Sequence, residues 1–167
     1  METMSLKEAR VLKARLGKDL SALAEKRAQV AVVTVMPGEN PEEFIDVTAD
    51  SVTEKIDACM ERLLAVGRVV RFANVGAKGA AAGEDIASMV ERSILLRREA
   101  KLCADLGARN PRTRESGGYR SDSGAQLVQV ATYDIRKYAE RGRRLAQEAE
   151  TLSAKIDRLD METTVEV

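Results

Sequence analysis

The chain contains no histidine and no tryptophan. The first absence excludes serine and cysteine triads that rely on an imidazole, histidine acid/base work and the common zinc sites. Aromatic residues make up only 3% of the sequence, so its core must be filled by Leu, Val, Ile and Ala, whose smaller members let helix backbones come close. The two cysteines, Cys59 and Cys103, form no close-spaced pair, and free thiols in a reducing cytoplasm are expected. Both fall on apolar stripes, where packing is expected rather than nucleophilic chemistry. The start, "METMSLKEAR", lacks an apolar leader, and no apolar run approaches the length of a bilayer, so no membrane partner is expected. Net charge is also missing: 27 basic residues balance 27 acidic ones. Nothing global therefore attracts nucleic acid.

What is present points to helices. A length of 167 residues suits one domain, 1–167, and the 32% of charged residues among many Ala and Leu is the composition of long amphipathic helices. Ser5 and Glu8 have capping-box spacing, and Leu6, Ala9, Leu12, Leu16, Leu20 and Leu23 follow at steps of three and four, predicting a helix to about Arg27. The β-branched run from Val30 to Val35 predicts a short strand. After Pro37 and Gly38, Asn40 and Pro41 have the order of a cap and first helical residue, with Ser51 offering a second start. Helix two carries Val52, Ile56, Cys59, Leu63, Val66 and Val70, and helix three Ile86, Met89, Val90, Ser93, Leu96, Ala100 and Cys103, ending at Gly107. Leu127 to Thr132 is a weak strand that would pair with the first. The last helix, from Thr132 or Asp134, shows Tyr138, Gly142, Leu145, Ala149, Leu152, Ile156 and Leu159. The expectation is an all-α fold: an antiparallel long-helix bundle or coiled-coil hairpins with a minor two-strand β ribbon. Helices two and three should pack antiparallel, and the narrow stripes imply further burial in a homo-oligomer.

Charge is unevenly placed. Between Gly38 and Glu61 the acids Glu39, Glu42, Glu43, Asp46, Asp50, Glu54, Asp57 and Glu61 face Lys55 alone, whereas Arg109 to Arg144 is predominantly basic. Subunit pairing and a local anion site both follow from such asymmetry. Glu39, Glu42, Glu43 and Asp46 have a spacing open to a divalent metal, but they also sit in a first turn where acids meet the helix dipole, and the dipole is the preferred reading. No metal and no cofactor are expected. "GAKGAAAG" lacks the order of a phosphate-binding P-loop, and it supplies one cation, Lys78.

The segment "ARNPRTRESGGYRSDSG" differs from every other basic stretch because its setting is Gly, Ser, Asn and Pro. Arg109, Arg112, Arg114 and Arg120 would converge on an anion there, with backbone N–H groups near Gly117 and Gly118 and with Tyr119 able to stack on a ring. Arg71, Asn74 and Lys78 are weaker candidates near the glycine loop. The competing readings are a solvated loop, or one that pairs with the acidic stretch of a neighbouring subunit.

Several stretches together resemble the septicolysin-like proteins, a family of small bacterial helical proteins. They are "SLKEARVLKARL", "PGENPEE", the loop from Asn74 to Gly79, "VER" in helix three and the closing "VATYDIRKYAERGRRLAQEAETLSAKIDRLDMETTVEV". The resemblance spans nearly the whole chain and implies no particular reaction. Asp160 and Met161 replace an Asn-Trp pair of the family pattern, and Arg71 to Asn74 depart from its Asn-x-Thr-Asn.

The functional expectation is non-enzymatic: a cytoplasmic phage or bacterial homo-oligomer that sequesters a phosphate-bearing, nucleotide-type small molecule through its arginine loop. By analogy, small oligomeric proteins that sequester nucleotide signals close loops over their ligands. A coiled-coil adaptor is the alternative. A nucleotide-processing enzyme ranks last, because no base stands paired with a nucleophile, and no catalytic residue is assigned.

Overall fold

The structure is a computed structural model that describes residues 4–74, 85–114 and 127–162. Those residues are mostly helical, with four α-helices and a small sheet: α1 (Leu6–Val30), β1 (Val32–Val35), α2 (Ala49–Asn74), α3 (Ile86–Gly107), β2 (Arg112–Arg114), β3 (Val128–Ala131) and α4 (Ile135–Glu162). The capping box is formed at α1, where the Ser5 hydroxyl accepts from the Glu8 N–H and the Glu8 carboxylate accepts from the Ser5 N–H. Two orphan donors of the first turn are thereby satisfied.

Asn40 also caps as expected, accepting from the Glu42 N–H at 3.2 Å, yet the element it opens is only a 3-10 turn, Pro41–Phe44. The long helix starts at Ala49, with Thr48 as its cap; Ser51 lies inside the first turn and donates back to the Thr48 carbonyl. This start puts Ala49, Val52 and Ile56 in the core together, each at most 1% exposed. Between β1 and the 3-10 turn, the Glu39 N–H donates to the Met36 carbonyl and Gly38 has φ +99°. Pro37 and Gly38 thus occupy the central positions of a type II turn, the second of which favours glycine.

Cross-helix contacts show that the four helices alternate in direction. Cys59 of α2 reaches the Leu16 carbonyl of α1, Arg71 of α2 reaches Glu91 of α3, and Ser93 of α3 meets Ser153 of α4. Helices α2 and α3 are antiparallel, as expected, but the intimate pairs are α1 with α2 and α3 with α4. The two pairs are packed differently. Leucine and other large side chains fill the layer around Leu16, Leu20, Ile56, Met60, Leu63 and Leu95. The other layer, around Ala100, Cys103, Leu106, Tyr138 and Ala149, is rich in small residues. A Cβ on Gly107 would lie 2.6 Å from the Ala139 Cα, and one on Gly142 would lie 3.0 Å from the Ala104 nitrogen. These glycines let α3 and α4 touch backbone to backbone. Gly107 therefore serves close packing, and the cap of α3 is Ala108 in an ordinary helical conformation.

The predicted pairing of the two strands is present, Val32 to Val35 opposite Ala131 to Val128. The ribbon has a third strand, however. Arg112, Thr113 and Arg114, expected as irregular loop, run antiparallel to β3 with Arg112 opposite Val130 and Arg114 opposite Val128. The reason is backbone pairing: β3 is a central strand whose free side would otherwise lose its ladder, and the Ala131 N–H already donates to the Pro111 carbonyl at 3.0 Å. Val90, expected on the apolar stripe of α3, is 40% exposed, while Met89 beside it is 1% exposed. Met89 and Ser93 are buried as predicted, and Ser88 rather than Val90 completes the buried face at that end.

Candidate functional site: a cationic edge strand

β2 is three residues long, exposed at each of them, and at the edge of the sheet. Side chains alternate along a strand, so Arg112 and Arg114 share one face about 6.5 Å apart and Thr113 takes the other. Their cross-strand neighbours on that face are Val130 and Val128, and beyond these Val33 and Val35. The result is a short row of valines flanked by two guanidinium groups. No carboxylate among the described residues pairs with Arg109, Arg112 or Arg114.

The corner leading into β2 is held firmly. The Leu106 carbonyl accepts from the Arg109 N–H at 3.3 Å and from the Tyr133 hydroxyl at 2.7 Å. Tyr133 stacks edge-on to Tyr138, with ring centroids 5.1 Å apart. Burial pushes the Tyr133 phenol up, against a smaller opposing effect of the nearby Arg109 charge. The net effect keeps this hydroxyl protonated, as a donor. A hollow of about 520 Å³ next to β3 is walled by Glu42, Asp50 and Asp134, charges that repel a phosphate. The cationic element at this end, among the described residues, is the strand itself.

Arg71 and Asn74, expected near the same ligand, are at the other end of the molecule. Arg71 contacts the first turn of α3, whereas Arg109 and β2 follow its last turn; the helix between them is roughly 30 Å long. One small molecule bound to one chain cannot span that distance. The Arg71 guanidinium is also occupied, donating to Glu91 at 2.9 Å and to the Ser88 hydroxyl at 2.5 Å. Asn74 is the final residue of α2. Lys78, Tyr119 and Arg120 lie outside the described residues.

A polar cluster that the sequence reading missed sits in the interior. Arg27 is 1% exposed and Glu99 3%. Two Arg27 nitrogens donate to the two Glu99 oxygens at 2.5 and 3.0 Å, and one also reaches Thr53. The Thr53 hydroxyl donates to the Ala49 carbonyl and so accepts from the Tyr138 hydroxyl at 2.7 Å. One signal was available, since Arg27 continues the Leu16, Leu20, Leu23 spacing into the buried stripe. Burial opposes the Arg27 charge, but the hydrogen bonds and charge of Glu99 outweigh it and hold its pKa above the ordinary value. Burial, with Glu99 beside it, raises the Cys103 thiol to about 11, and burial raises the Tyr138 phenol to about 12. Neither is an activated nucleophile. The cluster draws one or more residues from each of the four helices and its hydrogen bonds are directed inward, which is the arrangement of a structural clasp.

Among the described residues no group of three His, Cys, Asp or Glu side chains gathers to hold a metal, and no helix is long and apolar enough to cross a membrane. Searches of protein-family models, curated proteins and solved structures each find no match, so the likeness to septicolysin-like proteins rests on the sequence stretches alone.

Proposed function

We propose that the protein binds a phosphate-bearing small molecule of nucleotide type at the cationic edge strand and releases it unchanged, working as a homo-oligomer in the cytoplasm. The observation that carries this reading is the pair of exposed arginines, Arg112 and Arg114, side by side on one strand face without a carboxylate partner among the described residues. Two planar forks at that separation suit adjacent phosphate groups better than a single carboxylate. Arg109, across the corner, adds a third cation. Buried, free Cys59 and Cys103 suit a reducing compartment. Burial keeps the Cys103 thiol and the Tyr138 phenol protonated, so neither is put forward as a nucleophile.

The test is a thermal-shift panel of nucleotides and cyclic dinucleotides followed by recovery of the ligand after heating. A binder present at a hundred times its dissociation constant adds about 2.7 kcal/mol of stability. Recovery of the intact ligand is expected, and a cleaved product would favour an enzyme. A protein that no phosphate compound stabilises would favour the second reading, a coiled-coil adaptor. The open groove between α3 and α4 is the feature that speaks for that alternative.

A further inference from the structure

The outer face of the α3/α4 pair carries a groove of about 700 Å³ that no other described element covers. Its floor is Ala104, Gly107, Ala139 and Gly142, small because the two backbones meet there. Its rim bears three cations, Arg97, Lys101 and Arg143, against one acid, Glu150. Among the described residues neither Lys101 nor Arg143 has an ion-pair partner, and Arg97 donates only to the Ser153 hydroxyl. An apolar floor under a cationic rim fits an acidic segment with a large apolar side chain.

The chain itself displays such a segment. Phe44 ends the 3-10 turn 51% exposed, and Glu42, Glu43 and Asp46 around it form no ion pair among the described residues. A 3-10 turn of four residues is about 8 Å long, and the groove from Arg97 to Ala108 runs about 16 Å, so the turn fits inside it. We infer that the Glu42–Asp46 turn of one copy docks in the α3/α4 groove of a second copy, with Phe44 on the alanine and glycine floor and the acids against Lys101 and Arg143. This contact joins two different surfaces. It forms a closed assembly if two copies exchange turns reciprocally or the rotation between successive copies closes a ring, and a head-to-tail array otherwise. The inference rests on the assembly half of the proposed function and is independent of the phosphate site.

The experiment is charge reversal read by light scattering. One variant reverses the groove, Lys101→Glu with Arg143→Glu, and another reverses the turn, Glu42→Lys with Glu43→Lys. Each alone is expected to lose self-association by about tenfold or more, and an equimolar mixture is expected to recover it, because each variant then offers the complement of the other. A chain carrying all four changes should also assemble, and the helical circular dichroism of each variant separates loss of the contact from loss of the fold. Phe44→Ala should weaken assembly without altering the helical circular dichroism. A parent that is monomeric at high micromolar concentration overturns both this contact and the proposed oligomer. A parent that assembles, with reversal variants that assemble equally well, overturns this contact alone. Nucleotide stabilisation measured on the same variants reports separately on Arg112 and Arg114.

Discussion

The two ends of the bundle hold arginines in opposite circumstances. Where α2 meets α3, Arg71 is bound to Glu91 and Ser88, Lys13 to the same Glu91 at 2.8 Å, and Arg92 to Glu61 and Glu148. At the sheet end, Arg109, Arg112 and Arg114 project from a turn and an edge strand with no described carboxylate beside them. Residue type is the same, and only the neighbours differ. A guanidinium clamped between helices contributes to structure, and one displayed on an edge is available to a ligand.

The largest effect is expected at neither end but at the arginine between them. Glu99→Ala would leave the buried Arg27 charge without its partner, and a loss of about 3 to 5 kcal/mol in denaturant unfolding is expected. Replacing both residues together by Met and Leu should recover most of that loss, since an apolar pair of similar volume needs no compensation. A single variant as stable as the parent would mean that the clasp is open to water.

Next in size are the displayed arginines. Arg112→Ala and Arg114→Ala should each weaken phosphate binding by about 1.5 to 3 kcal/mol, the range for hydrogen bonds to charged groups, and leave the melting temperature of the free protein unchanged. Equal binding by the double variant would return these residues to solvated surface. Gly107→Ala tests the packing that frames the groove. Its methyl would meet the Ala139 backbone, and a destabilisation of about 1 to 3 kcal/mol is expected from unfolding curves.

The smallest effect belongs to the clamped end. The Glu91 carboxyl is partly buried, which would raise its pKa, but the Lys13 and Arg71 hydrogen bonds and charges prevail and lower it below its ordinary 4.5. A depressed carboxylate contributes stability above pH 4.5 that is lost as the pH falls through its lower folded value. Arg71→Ala should therefore cost under about 1 kcal/mol at neutral pH and flatten the decline of stability below pH 4.5. A decline as steep as the parent's would assign the acid sensitivity to other carboxylates.

Helix existence was legible because period and capping are local. Ser5 with Glu8, the Val52–Ile56–Cys59–Leu63 spacing and the Tyr138–Leu145–Ala149 spacing are each read within a few turns, and the residues they name are buried or capped as expected. Starts were less legible: Asn40 and Thr48 are both competent caps, and the choice between a 3-10 turn and the long helix followed from which start buried Ala49. The arginine strand was half legible. Its charges and exposure were plain, but Arg112 to Arg114 resemble loop until β3 supplies hydrogen-bonding partners.

From sequence alone came the helical character, the absence of histidine chemistry, the two strands that pair and the unusual setting of the arginines. All depend on composition or on neighbours along the chain. Only the tertiary structure decided that Arg71 and Arg112 lie at opposite ends, that Arg27 finds Glu99 in the interior, and that Gly107 and Gly142 bring two backbones into contact beneath an open groove. Those outcomes depend on which residues distant in sequence meet across helices, and electrostatics and close packing act on that distance in space.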